Sequence, residues 1–203
     1  MAKTKVGILV SGRGSNMEAI LKASKSNIFN AEVVLVLSDK ADAPALEIAK
    51  ASKVPTVFLD PKDFPAREDY DKALVDQLNK AKVGLVCLAG YMRIVTPVFL
   101  KAFPNRIMNI HPALLPSFKG LHGQKQAFDY GVKVAGCTVH LVDAGTDTGP
   151  IVAQSAVPVL PDDTVDTLRA RILAEEHRLL PTVVAWLAAG RVQVVGRRVT
   201  ITG

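Results

Sequence analysis

Cysteine is scarce in this chain: two in 203 residues, Cys87 and Cys137, each inside an apolar run. That excludes a disulfide-stapled extracellular domain and points to reduced, buried thiols. No apolar run approaches the length of a membrane span, and no basic segment with an apolar stretch and a cleavage site lies near the start. A soluble, cytoplasmic protein is therefore expected. Aromatic residues make up only 5% of the chain, and no dense Lys/Arg block is interleaved with them. Nucleic acid is thus not the expected partner. There is no internal repeat, low-complexity stretch or linker, so one domain over residues 1–203 is expected.

What is present suits a globular fold. Hydrophobic residues make up 49% and charged residues 22%, enough to bury a full core and inconsistent with disorder. The net charge is +6 and the isoelectric point about 9.4. A basic balance favours phosphates or polycarboxylates as partners, with a solvated lysine excess as the equally weighted bland reading.

The hydrophobic pattern alternates between two periods. Short apolar runs at 5–10, Glu32–Leu37, Val54–Leu59 and Val83–Ala89 read as buried strands. Between them, Met17, Ile20 and Leu21, the stretch Pro44–Lys53, and residues 67–82 with Tyr70, Leu74, Val75 and Leu78 on one face read as helices. This is the signature of an α/β fold, a doubly wound and mostly parallel sheet with helices on both faces. Farther on, a short strand Arg106–Ile110 ends at His111-Pro112, and a Pro- and Gly-rich loop runs to Gly123. A short helix 124–130, strands 134–142 and 150–157 and a long helix from about 163 to 189 follow. Asp162, Asp163 and Thr164 suit that helix's start and Gly190 its end. The tail 191–202 reads as a hairpin around Gly196-Arg197.

Two segments carry chemistry. Ser11-Gly12-Arg13-Gly14-Ser15-Asn16 joins the first strand to the first helix, at the sheet edge where open α/β folds bind ligands. Glycines there let the backbone approach a phosphate, and Gly14 is expected where a Cβ would crowd that ligand. Free N–H groups at the helix start, with Ser15 and Asn16, supply donors. The segment is neither a dinucleotide fingerprint, since Met17 stands where the third glycine belongs, nor a Walker loop. A tight turn with a helix cap explains it equally well.

The second segment is Asn109-Ile110-His111 at a strand end, where period-two geometry turns both polar side chains to one face. Asp147 lies in the turn Asp-Thr-Gly-Pro. An imidazole and an amide can stabilise an oxyanion, and a carboxylate can orient the imidazole, favour its charged form and relay protons. No serine or cysteine nucleophile stands beside them, which suits a substrate that brings its own amine. The bland readings are a turn histidine before proline and an Asx turn at Asp147. His111, His122 and His140 with Asp147 could also ligate a metal, but their spacings match no common zinc pattern, and no metal is expected.

Here the residues carry a resemblance. Asn109-Ile110-His111-Pro112-Ala113-Leu114-Leu115-Pro116 followed by Gly120-Leu121-His122 resembles the signature of the phosphoribosylglycinamide formyltransferase family. Ser11–Asn16, Ala89-Gly90-Tyr91-Met92-Arg93-Ile94, Asp147-Thr148-Gly149-Pro150 and Glu176-His177 extend it over essentially the whole chain. The resemblance implies formyl transfer from 10-formyltetrahydrofolate, as co-substrate, to the amine of 5'-phosphoribosylglycinamide in purine biosynthesis. Asn109, His111 and Asp147 would be catalytic. Gly14, Ser15, Asn16, Leu173, Ala174, Glu175 and Glu176 would meet the nucleotide, with Glu176 on its ribose hydroxyls. Arg67, Met92, Arg93, Ile94, Val95, Asn109, Asp143, Ala144, Gly145, Thr146 and Asp147 would meet the folate. The N-terminal half would bind the nucleotide phosphate and the C-terminal half the folate. Small molecules are the implied partners, without nucleic acid or membrane; monomer and homodimer are equally compatible. Ala113 replaces a serine common in relatives, and Arg13 occupies a variable place.

Related activities share an Asn-x-His…Asp core. Methionyl-tRNA formyltransferase resembles the chain there, but usually has Gly where Pro112 stands and carries a further C-terminal domain. Formyltetrahydrofolate deformylase is expected to place a regulatory domain before the first strand. A nucleotide-binding module would use the first glycine loop and leave Asn109, His111 and Asp147 unexplained.

Overall fold

The computed structural model describes residues 3–26 and 29–202. Strand β1 (Thr4–Val10) leads into helix α1 (Ser15–Ser24), and β2 (Ala31–Ser38) into α2 (Pro44–Ala51). β3 (Thr56–Phe58), α3 (Arg67–Lys80), β4 (Leu85–Leu88), α4 (Pro97–Ala102) and β5 (Ile107–His111) follow. Then come α5 (Gly123–Tyr130), β6 (Val134–Leu141), β7 (Ile151–Pro158), α6 (Val165–Ala188) and the pair β8 (Val192–Val195) and β9 (Arg198–Ile201).

The seven-stranded sheet has the order β3-β2-β1-β4-β5-β6-β7. The first five strands are parallel, and β6 and β7 are antiparallel. The order reverses between β1 and β4, which opens a crevice at their carboxyl ends. Alternation along the strands divides the core. Val6, Ile8 and Val10 of β1 face one cluster while Leu9 faces the other; Leu85 and Cys87 of β4 oppose Val86 and Leu88 in the same way. α1, α2, α5 and α6 cover the first face, α3 and α4 the second. This is the expected doubly wound, mostly parallel sheet. Both thiols are free, and burial pushes each up to about 12, so neither is a nucleophile at neutral pH.

Three local expectations change. The stretch Val54–Leu59 keeps only three strand residues, because β3 is an edge strand and pairs on one side only. Helix α4 escapes the periodic reading, being six residues long with Phe99 as its one buried side chain. Asp71 joins the buried face of α3, where Val75 is half-buried against the second cluster, and its carboxylate accepts the Thr96 N–H at 2.5 Å. Thr164 does cap α6, through a reciprocal bond with Thr167. Among the described residues no helix is long and apolar enough to cross a membrane.

Candidate active site

A cavity of about 530 Å³ opens at the carboxyl ends of β1, β4 and β5 and runs under the loops after β5 and β6. Its floor begins at the loop before α1. No side chain caps that helix, so its first-turn amides are open to an anion. The loop is held from both sides: Ser11 N–H donates to Gly90 O, Ala45 N–H to Gly12 O, and Met92 N–H to Ser11 Oγ. Gly14 has φ +80, and a Cβ there would fall 2.6 Å from Ala45 Cβ. The packing of α2 on the loop therefore by itself requires glycine at this position.

Across the cavity, α6 meets α1. Asn16 Nδ2 donates to Glu176 Oε2 at 2.7 Å. Asn16 Oδ1 and Glu176 Oε1 are both buried without a hydrogen-bond partner. Burial pushes the Glu176 carboxyl up, opposed by the Asn16 bond. Unpaired acceptors on two residues that line the cavity suit a ligand with hydroxyl donors.

A polar cluster is centred on Asp147. Its Oδ2 lies 3.2 Å from His111 Nδ1 and accepts Gly120 N–H at 2.8 Å. Its Oδ1 lies 3.4 Å from Asn109 Nδ2 and 3.5 Å from His140 Nε2. The strand-end pair and the distant turn therefore meet, as the sequence predicts. Asp147 adopts φ +52, a left-handed conformation that a short polar side chain tolerates. The turn is pinned by Asp143 Oδ1, which accepts from Thr148 Oγ1 and Gly145 N–H. A Cβ on Gly149 would fall 1.7 Å from Leu141 O, so only glycine lets the turn pass so close to β6.

His111 is 3% exposed, and its Nε2–H donates to Phe118 O at 2.8 Å. Burial pushes the ring below the ordinary histidine range; Asp147 and the Phe118 carbonyl oppose this, and His140 adds to it. Asp147 does favour the charged ring, as a carboxylate should, but desolvation is the larger effect. For Asp147, burial acts upward, and the hydrogen bonds from His140 and Gly120 with the imidazole charges overcome it, so its carboxyl lies lower than usual.

His140 enters the cluster from β6, directly opposite Asn109 in the antiparallel register. Its Nδ1–H donates to the Leu141 carbonyl at 2.8 Å, while Nε2 lies 3.2 Å from Asn109 Nδ2 and 3.5 Å from Asp147 Oδ1, accepting from the amide without a proton and donating to the carboxylate with one. Sequence reading considered this residue only as a metal ligand. The available signal was Thr138 and His140 two apart in an apolar strand; the missing information was which strand lies alongside. Among the described residues, no group of three or more His, Cys, Asp or Glu side chains is arranged to hold a metal ion.

Of the other expected contacts, Ser15, Met92, Arg93, Ile94, Val95, Asp143, Gly145 and Thr146 line the cavity. Arg67 stands outside the lining and donates to Ile94 O at 2.6 Å, bracing that wall. On α6 the lining residues are Arg169, Leu173 and Glu176, spaced for one helical face. Ala174 is exposed, and Glu175 turns away to Ser155 and Arg178.

The family described as formyl transferase matches residues 4–184. Phosphoribosylglycinamide formyltransferase of Bacillus subtilis is 42% identical over 183 residues, 90% of this chain and 94% of that protein. The trifunctional purine biosynthetic protein adenosine-3 of Drosophila pseudoobscura pseudoobscura is 46% identical over 95% of this chain, which spans only 14% of that longer protein. The crystal structure of glycinamide ribonucleotide transformylase 1 from Symbiobacterium toebii superposes with a TM-score of 0.97, at 52% identity, over 99% of this chain and 95% of that one. With the match covering most of its length and a superposition at 52% identity over 99% of it, this chain belongs to the formyl transferase family.

Proposed function

We propose that the chain transfers the formyl group of 10-formyltetrahydrofolate to the amine of 5'-phosphoribosylglycinamide, as a cytoplasmic enzyme of purine biosynthesis. One observation carries this reading: a single cavity joins an anion-ready helix start to the Asn109–His111–Asp147 cluster. An acyl transfer between two small molecules needs both features within reach of each other.

The phosphate of the nucleotide rests on Gly14, Ser15 and Asn16, and its ribose hydroxyls supply the donors that Asn16 Oδ1 and Glu176 Oε1 lack. The folate lies against Met92–Val95 and the Asp143–Asp147 turn. The two halves act as one unit, since residues of α1 and α6 meet across the same space.

The amine attacks the formyl carbon and an oxyanion develops on the formyl oxygen. The Asn109 amide donates to it, joined by the His111 Nε2–H once that group leaves the Phe118 carbonyl. The attacking nitrogen must lose a proton and N10 of the folate must gain one before the C–N10 bond breaks. The His111–Asp147 pair carries that proton, entering through a water at Asp147. A buried ring with a low proton affinity is a strong acid once protonated, which favours delivery to the leaving nitrogen.

The test is tetrahydrofolate release with and without the nucleotide. Release that depends on 5'-phosphoribosylglycinamide and matches its formylation is expected. Release at the same rate without the nucleotide would replace transfer by hydrolysis.

A further inference from the structure

Among the described residues, the arginines lining the main cavity are Arg13, Arg93 and Arg169. Arg93, in the segment after β4, is held with its guanidinium 5.2 Å from the centre of the Tyr70 ring. Arg13 and Arg169 belong to the other part of the cavity, built by α1 and α6. Arg13 is exposed in the loop before α1 and, among the described residues, makes no ion pair. Arg169 enters from α6, the helix whose Glu176 is bonded to Asn16 at the start of α1.

The spacing along α6 orders the contacts. Arg169 precedes Glu176 by two turns on the same face, a rise of about 10 Å. Glu176 is buried with Oε1 unpartnered, the group suited to ribose hydroxyls. In a ribose 5-phosphate the anion lies at the end away from the 2'- and 3'-hydroxyls, and a long side chain two turns from Glu176 can meet it. Leu173, between them, is apolar and offers the anion nothing. The present partner of Arg169 is a weak one. Its Nη1 donates to Asp166 Oδ1 at 2.6 Å, but the two side chains are 44% and 85% exposed. Solvent and salt screen a pair so open to water. A phosphate dianion resting on the open amides of α1 is the stronger partner, because its oxygens match the guanidinium fork.

We propose that Arg169 and Arg13 are the specificity residues for the nucleotide's phosphate, closing on it from α6 and from the loop before α1, and that Arg169 exchanges Asp166 for that phosphate on binding. This inference rests on the reading that the phosphate lies on Gly14, Ser15 and Asn16. It gives Arg13, which no structural contact explains, a chemical use, and it gives the chain's basic balance a local one.

The experiment measures steady-state turnover and ligand affinity in Arg13→Ala, Arg169→Ala and the double variant. Each single change is expected to raise the KM for 5'-phosphoribosylglycinamide about three- to thirtyfold, the scale of a partly exposed charge-assisted bond. The kcat and the KM for the folate should hold, since the contact is the same in ground and transition states. Inorganic phosphate, competing with the nucleotide, should lose potency in step, and the salt dependence of KM should flatten in the double variant. The affinity of the dephosphorylated riboside, read by calorimetry, should not change. Arg169→Gln keeps much of the side chain's length and should repeat the KM effect at the wild-type melting temperature, which separates charge from stability. Arg178→Ala removes a cation from the exposed side of the same helix and should leave every value unchanged. An unaltered nucleotide KM in both arginine variants would overturn the proposal. So would an equal weakening of the riboside, or an equal loss in Arg178→Ala. If the wild type forms no formylated nucleotide at all, the functional reading itself fails, an outcome distinct from transfer with a KM indifferent to both arginines.

Discussion

Asp147 Oδ2 faces Nδ1 of His111 at 3.2 Å, while Nε2 of the same ring donates to the Phe118 carbonyl at 2.8 Å. Two acceptors flank a ring that carries only one N–H when neutral. The contact with Asp147 is complete only when a second proton arrives, and burial resists that arrival. The pair is therefore set to receive a proton during turnover and to give it up readily.

Replacing Asp147 by Asn separates a turn role from a chemical one. Asn keeps the size, the left-handed backbone and the acceptor for Gly120 N–H, so the melting temperature and both substrate affinities are expected to hold. Turnover is expected to fall by about 10²–10⁴, the range for an acid–base group. The His111 ring should also titrate at still lower pH by NMR once its anionic partner is gone. Retained turnover per folded molecule would make Asp147 a turn residue only.

The His111 ring also makes stability depend on pH. Its proton affinity is lower in the folded chain than in the unfolded one. The unfolded state therefore binds the proton first, and stability falls as pH drops below about 6.5 toward the folded value. Melting curves from pH 7.5 to 5 should show this fall, and His111→Gln should flatten it. Parallel curves would remove the ring's burial from the account.

Glu176 has the opposite sign. Its carboxyl is pushed up by burial, so stability is greatest while it is protonated and is lost as pH rises through its folded value. Glu176→Gln is expected to melt higher than wild type by a margin that widens with pH. It should weaken nucleotide binding by about tenfold or more, the scale of a hydrogen bond to a charged group. A constant margin across pH would mean that the carboxylate is not strained by burial.

Gly14→Ala tests what the first loop requires. The left-handed backbone and the contact with Ala45 together are expected to cost about 2–4 kcal/mol of stability. Gly14→Ala combined with Ala45→Gly should recover part of it. An unchanged melting temperature with lost nucleotide affinity would return the constraint to the ligand.

Arg197, in the turn between β8 and β9, donates from Nη2 to Thr148 O at 2.9 Å, one residue beyond Asp147. Arg197→Ala is expected to lower kcat about threefold to tenfold with little change in melting temperature, consistent with loss of one exposed hydrogen bond. Arg197→Lys should recover part of the rate. A fall in melting temperature with kcat intact would assign the contact to stability alone.

The chain's periodicity announced its elements well because its strands are buried on both faces and its long helices carry one continuous apolar stripe. It failed at α4, whose length allows a single buried residue, and at β3, where one-sided pairing leaves little reason to extend. Asn109 and His111 were legible because a polar pair ending an apolar strand has few structural uses. Asp147 was legible chiefly through its motif, since a turn aspartate has many.

By itself the sequence determined the fold class, the first glycine loop and the residue types of the polar cluster, because these rest on local period and local turn chemistry. The tertiary structure decided what long-range approach controls. It placed His140 opposite Asn109 across two strands 31 residues apart. It brought Glu176 to Asn16 over a separation of 160 residues. It brought Ala45 against position 14, a neighbour that demands glycine there. It also set burial against the Asp147 carboxylate at the His111 ring, because desolvation depends on everything packed around a ring and no short stretch of sequence encodes that.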